Sequence, residues 1–192
     1  MSHSISDTTS RSLGDELLVL RCQLGERAAF DALIDRWHDP LWRYARRVTG
    51  SDDAAADVTQ DVWLRVLRGI GRLREPASLR PWLFGIARRV LMDRLRLKYA
   101  EPATVDAADV DPAAEPFDDE LGLEIASMQD ALSRLPVVER DVLTLFYLRE
   151  LTVADVARVL DVPTGTAKSR LFRARRLLRR ELESPLSSGD HR

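Results

Sequence analysis

Apolar residues along this chain recur every three or four positions, and no stretch alternates with period two. That pattern confines the chain to helices, because a strand with one buried face would alternate. Helices are expected at about 15–23, 26–48, 52–69 and 79–98, and again at 120–134, 136–149, 152–160 and 164–182. Pro40 lies inside the second and should kink it, and Asp52, after the turn at Gly50, is the expected N-cap of the third. The segment from Gly69 to Pro76 breaks helix and should form a loop. Between the two groups of helices runs EPATVDAADVDPAAEPFDDE, with Pro102, Pro112 and Pro116 and no sustained periodicity. It reads as a linker. The fold class is therefore all-α: two small helical domains, 13–99 and 120–183, joined by an acidic linker over 100–119 and followed by a frayed tail, 184–192.

The net charge of −2 argues for no particular partner, but the charge is sorted along the chain. From Arg65 to Lys98 there are ten basic residues against Glu75 and Asp93. From Glu101 to Glu124 there are nine acids and no base, and from Thr164 to Arg180 seven bases and no acid. Either basic block alone could be an ordinary solvated helix face. The pair, split by an acidic stretch, points to two surfaces for a polyanion.

Other classes are excluded by what the residues lack. No apolar run approaches the ~18–20 residues that span a bilayer, and MSHSISDTTSRS has no apolar signal core, so a cytoplasmic protein without membrane insertion is expected. The single cysteine, Cys22, makes no internal disulfide, and His3, His38 and His191 are too scattered for a Cys/His metal site. No phosphate-cradling Gly loop, metal-carboxylate cluster or nucleophile–base pair is visible, so neither enzyme activity nor a cofactor is expected. Trp37, Trp42, Tyr44, Trp82, Phe84, Phe146 and Tyr147 are expected in helical cores.

The run LTVADVARVLDVPTGTAKSRLFRARRLLRREL has the form of a helix-turn-helix. Thr152 should cap the first helix, Asp161–Pro163 make the turn, and Thr164 or Gly165 begin the second. At ~100° per residue, Ala167, Leu171, Ala174, Leu178 and Leu182 form one buried stripe on that second helix. Lys168, Ser169, Phe172, Arg173 and Arg176 point away from it. Phe172 is a large aromatic among bases on the solvent side, placed for contact with a thymine methyl or sugar edge. Lys and Arg can pair with guanine, while Thr166, Arg170 and Arg175 are placed for phosphates.

Four ordered segments now carry a resemblance: GERAAFDALIDRWHDPLWRYARRVTG, DVTQDVWLRVLR, RPWLFGIARRVLMDRLR, and the stretch from LPVVERDVLTLFYL through the helix-turn-helix. Together they resemble the extracytoplasmic-function (ECF) class of bacterial sigma-70 family factors for RNA polymerase. The resemblance implies that the first domain is sigma-2, which binds core polymerase and reads and melts the −10 element, and that the second is sigma-4, which reads the −35 element. It implies as partners core RNA polymerase (through the β′ coiled coil and the β flap), promoter DNA and a cognate anti-sigma factor. The −35 set would be Thr166, Lys168, Ser169, Arg170, Phe172, Arg173, Arg175 and Arg176. The −10 set would be Arg74, Leu79, Arg80, Arg88 and Arg89, with a ring face offered to the DNA strand as the alternative to core packing for Trp82. The helix DVTQDVWLRVLR would dock on polymerase through Asp57, Gln60, Asp61, Leu64, Arg65 and Arg68, opposite a buried half of Val58, Val62, Trp63 and Val66. The family often has Asn at Arg89 and Gly at Asp161; Asp tolerates left-handed backbone better than most residues. The other function these residues admit is a stand-alone helix-turn-helix regulator.

Overall fold

The computed structural model describes residues 3–100, 128–148 and 151–183. Every element among them is helical. Two compact units result, one made chiefly of residues up to 100 and the other chiefly of residues from 128 onward. The acidic linker, the tail and the first part of the helix expected at 120–134 lie outside the described residues.

The first unit contains α1 (His3–Gln23), α2 (Arg27–Thr49), α3 (Asp52–Gly69) and α4 (Leu79–Ala100). Two short 3-10 turns, Ile70–Arg72 and Pro76–Ser78, fill the connection before α4. Helix α1 starts well before the expected residue 15, in a polar segment whose lack of an apolar stripe hid it. Its end is closed by Gly25, whose positive φ of 81° lets the Glu26 N–H reach the Arg21 carbonyl at 3.1 Å. Helix α2 runs unbroken through Pro40. It buries Ala29, Leu33, Trp37, Leu41, Tyr44, Ala45 and Val48, a stripe at three- and four-residue spacing. Ser51, not the expected Asp52, is the N-cap of α3, its hydroxyl accepting from the Ala54 N–H at 3.4 Å. Asp52 instead sits in the first turn and pairs with Arg46. The difference is which short polar side chain has extended backbone and can fold over the open N–H groups; at Ser51 φ is −132° and ψ 138°.

Three aromatics hold α2 against α4. Phe84 meets Trp37 edge-on at 6.3 Å between centroids and Tyr44 at 5.4 Å, with interplanar angles of 79° and 86°. Edge-to-face rings at these separations attract through their quadrupoles in addition to the area they bury. Around them Leu83, Ile86, Val90, Leu91, Val58, Val62 and Val66 complete an aliphatic core. The indole N–H of Trp37 donates to Asp15 at 3.2 Å, and Arg36 pairs with the same carboxylate at 3.0 Å, which ties α1 to α2. Burial pushes the Asp15 carboxyl above its ordinary range, against the opposing pull of Arg36.

The second unit contains α5 (128–134), α6 (Val137–Leu143), α7 (Val153–Leu160) and α8 (Thr164–Glu183). A wider π turn, Thr144–Leu148, continues α6 and sets Phe146 and Tyr147 edge-to-face at 5.0 Å. Thr152 caps α7 as expected: its hydroxyl accepts from the Asp155 N–H at 3.1 Å and donates to the Asp155 carboxylate at 2.7 Å. The turn to α8 passes through Asp161 at φ 54°. This left-handed residue lets the Val162 N–H reach the Ala157 carbonyl at 3.1 Å and the Asp161 N–H the Arg158 carbonyl at 3.2 Å. The pair of bonds is the closure glycine usually makes. On α8, Ala167, Leu171 and Ala174 are buried, Leu178 is half-buried and Leu182 is exposed, so the expected stripe fades toward the end of the helix.

Of the aromatics expected in cores, Trp37, Tyr44 and Phe84 are buried, Trp42, Trp82 and Phe146 are half-buried and Tyr147 is exposed. Phe84→Ala should therefore cost about 3–5 kcal/mol in the unfolding transition of the first unit, measured by denaturant titration; a loss below about 1 kcal/mol would show that the aromatic cluster does not hold α2 to α4.

Candidate nucleic-acid and protein interfaces

Helix α3 has two different faces. Counting ~100° per residue, Gln60, Leu64 and Leu67 lie on one side and Arg65 and Gly69 on roughly the opposite one. The first side opens on an apolar groove of about 480 Å³ between α2 and α3, walled by Phe30, Ile34, His38, Trp42, Trp63, Leu64 and Leu67. Phe30 and Trp63 meet edge-on across it at 6.1 Å. Leu64 is 46% exposed at the rim. A groove of this composition offers water almost nothing to bond and gains by being covered with apolar side chains.

The opposite side opens on a cavity of about 310 Å³ lined by Arg65, Gly69, Arg72, Trp82, Ile86 and Arg89. Three guanidiniums and an indole make this cavity fit for an unpaired base and its phosphate. Gly69 allows the indole its place, because a Cβ there would lie 3.1 Å from Trp82 Cζ2. Arg89 donates through Nε to the Gly85 carbonyl at 3.1 Å, which fixes the root of its guanidinium on α4. The loop carrying Arg72 is held from α1. The Gln23 amide donates to the Ile70 carbonyl at 3.1 Å and to the Leu73 carbonyl at 2.8 Å, bracketing Arg72 on both sides.

Against this geometry the expected −10 residues divide. Arg89 lines the cavity, Arg74 is exposed on the loop, and Arg88 is half-buried on α4. Arg80 is half-buried, close enough to Asp15 for its charge to pull that carboxyl down. Leu79 must be corrected: at 1% exposure it is a core residue and cannot touch a strand. As the first residue of α4 it points inward with Leu83, one turn on. Arg65, Arg72 and Trp82 complete the cavity, and only the alternative considered for Trp82 pointed to it.

The docking residues on α3 divide as well. Gln60 and Leu64 line the groove and Arg68 is exposed. Arg65 belongs to the other side, where it bonds Asp93 at 3.3 Å. Asp57 and Asp61 both clamp Arg94 of α4, at 3.1 and 2.7 Å. The hydrogen bond that Arg94 donates to the Asp61 carboxylate holds its guanidinium above its ordinary pKa. Trp63, expected on the buried half with Val58, Val62 and Val66, is half-buried and walls the groove.

On α8, Thr166, Lys168, Ser169, Phe172, Arg173, Arg175 and Arg176 are all exposed and Arg170 is half-buried. Phe172, 63% exposed, stands among the cations as expected. The Ser169 hydroxyl donates back to the Gly165 carbonyl at 3.0 Å, leaving its oxygen free to accept. Arg173 pairs with Glu139 at 3.1 Å. Arg175 does not stand free: its guanidinium lies 5.5 Å from the Phe146 ring centre and 5.3 Å from that of Tyr147. Among the described residues no group of three or more His, Cys, Asp or Glu is placed to hold a metal, and no helix is long and apolar enough to cross a membrane.

Comparison with known proteins follows the same two-unit division. Residues 33–100 match the family model for sigma-70 region 2, and residues 125–178 the model for sigma-70 region 4. The chain is 40% identical over 159 residues to the ECF RNA polymerase sigma factor SigM of Mycobacterium tuberculosis, a match covering 82% of this chain and 79% of SigM. It is 28% identical over 170 residues to the ECF RNA polymerase sigma factor SigW of Bacillus subtilis, covering 82% of this chain and 91% of SigW. Among solved structures, CnrH in complex with the cytosolic domain of CnrY has the same fold, with a TM-score of 0.67, 23% identity, and coverage of 89% of this chain and 98% of CnrH. So does the sigma factor RpoE in complex with the anti-sigma factor NepR from Bartonella quintana, with a TM-score of 0.67, 22% identity, and coverage of 81% and 98%.

Gln23→Ala should leave the α2–α4 core intact while speeding amide hydrogen exchange across residues 70–75. The expected stability cost is about 0.5–1.5 kcal/mol. Unchanged exchange in the loop would show that Gln23 does not restrain it.

Proposed function

The chain belongs to the ECF sigma factors of the sigma-70 family, which direct promoter-specific initiation by RNA polymerase, and on that premise we propose how its residues divide the work. The two faces of α3 carry this reading. The apolar groove, with Gln60 and Leu64 at its edge, docks on core polymerase at the β′ coiled coil. The cationic cavity on the far side of the same helix receives the −10 non-template strand. Polymerase and melted DNA are thereby held on either side of one rigid element.

No bond is made or broken in this work, and the chain acts as an initiation factor without chemistry of its own. Extracting a base from a duplex costs a few kcal/mol. Stacking on an indole recovers about 1–3 kcal/mol per base, and Arg65, Arg72 and Arg89 supply the electrostatic remainder. Arg74 and Arg88 hold the flanking backbone. In the second unit α8 enters the major groove of the −35 element. Lys168, Ser169, Phe172 and Arg173 face base edges there, and Thr166, Arg170 and Arg176 face phosphates. Domain limits of 13–99 and 120–183, with an acidic tether between them, suit this division, and so does a cytoplasmic site of action. An anti-sigma factor is a further expected partner. It is supported by the fold shared with CnrH and RpoE, whose structures hold the cytosolic domain of CnrY and the anti-sigma factor NepR. A stand-alone helix-turn-helix regulator is not favoured, because the first unit matches sigma-70 region 2.

The deciding experiment is run-off transcription on fragmented genomic DNA with core polymerase and the purified chain. Discrete start sites are expected, and none across the genome would remove the reading. Leu64→Asp should weaken binding to core polymerase about tenfold or more, while the unfolding transition of the second unit stays unchanged. Leu64 is the cleaner probe than Asp61, which also holds Arg94. Arg173→Ala should cost about 1–3 kcal/mol at one −35 base pair; a uniform loss over all sequences would make Arg173 a phosphate contact.

A further inference from the structure

Arg173 is an exposed arginine with a buried anchor. Its side chain is 74% exposed, yet its Nε forms an ion pair at 3.1 Å with Oε1 of Glu139 on α6, a carboxylate whose side chain is only 11% exposed. The contact differs from open surface ion pairs such as Arg43 with Asp39; like Asp15 under Arg36, Glu139 is a sheltered carboxylate. A carboxylate this sheltered holds its partner in one place, because letting go would leave a charge with little solvent around it.

The atom used in the pair matters. A guanidinium offers five N–H donors in a fixed plane, and guanine O6 and N7 can be met by two of them at once. With Nε lying 3.1 Å from the Glu139 carboxylate, the Nε side of the guanidinium faces its own protein, and the side-on fork made by Nε and one terminal nitrogen is closed. The two terminal nitrogens remain for an end-on approach. An unanchored arginine on an exposed helix samples many rotamers and meets phosphates as readily as bases. Anchoring Nε removes most of that freedom before DNA arrives. Glu139 also carries a negative charge beside a helix of seven bases facing a polyanion, which weakens contacts to any DNA whatever its sequence.

We infer that Glu139 is a positioning residue for −35 recognition: it fixes Arg173 for end-on pairing with one guanine and, by its charge, holds down binding to other sequences. This rests on the proposal that Arg173 reads a base pair.

The test uses reconstituted holoenzyme and a promoter found by run-off, with each −35 base pair replaced in turn and affinities measured by competition. Arg173→Ala locates the base pair Arg173 reads. At that pair, Glu139→Ala should reduce discrimination at least fivefold, while affinity for DNA lacking a −35 element stays level or rises. Glu139→Gln retains an acceptor oxygen and should keep most of the discrimination. Glu139→Leu fills the same space without an acceptor and should lose it, so a poorly folded alanine variant leaves the inference testable. Adding Glu139→Ala to Arg173→Ala should cause no further loss at that pair. If Arg173→Ala relaxes one base pair while Glu139→Ala and Glu139→Leu leave its preference intact, the inference is wrong and the reading of Arg173 stands. If Arg173→Ala relaxes no base pair, both fall together.

Discussion

The first unit depends on Phe84 lying edge-on between Trp37 and Tyr44. These contacts fix where α4 lies against α2, and α3 packs beside both. Every side chain proposed to meet DNA or polymerase in that unit takes its position from this arrangement. The cavity exists because Arg65 on α3, Arg72 on the loop and Arg89 on α4 converge around Trp82. The groove exists because Phe30 and Trp42 on α2 face Trp63 and Leu64 on α3. A shift of one turn between the helices would dissolve both openings while leaving each helix intact.

The second unit solves a simpler problem. A short capped helix, a tight turn and a long helix must present one row of side chains. The caps are local: Thr152 satisfies the start of α7, and Asp161 bends the chain through a conformation that glycine adopts more easily. The ordering of the exposed row is then a matter of helix geometry alone. The π turn after α6 adds what a regular helix would not. By widening one turn it brings Phe146 and Tyr147 beside Arg175.

This difference explains what could be read from the sequence. The exposed row on α8 and the buried stripe behind it follow from a single helix's periodicity, and Phe172 stands where a wheel places it. The groove and cavity combine residues from elements far apart in the chain, so spacing could not reveal that Phe30 faces Trp63 or that Arg65 shares a cavity with Arg72 and Arg89. Leu79 was misjudged for the same reason. The resemblance puts it in the −10 set, but the direction of its side chain is set by how α4 docks. Gln23 carried no signal, since a lone glutamine at a helix end is ordinary until its amide meets two carbonyls some fifty residues away. The choice of Ser51 over Asp52 turned on one residue of backbone geometry, which composition does not encode.

The stacking of Arg175 against two rings changes how the charge of α8 should be counted. A guanidinium held over aromatic faces is committed to its own protein, and the Arg173 charge is partly answered by Glu139. Seven bases on the helix therefore displace fewer counterions from a duplex than their number suggests. The affinity of this unit should fall less steeply with ionic strength than a bare cationic helix of the same composition, so more of its grip on DNA comes from contacts that distinguish one site from another.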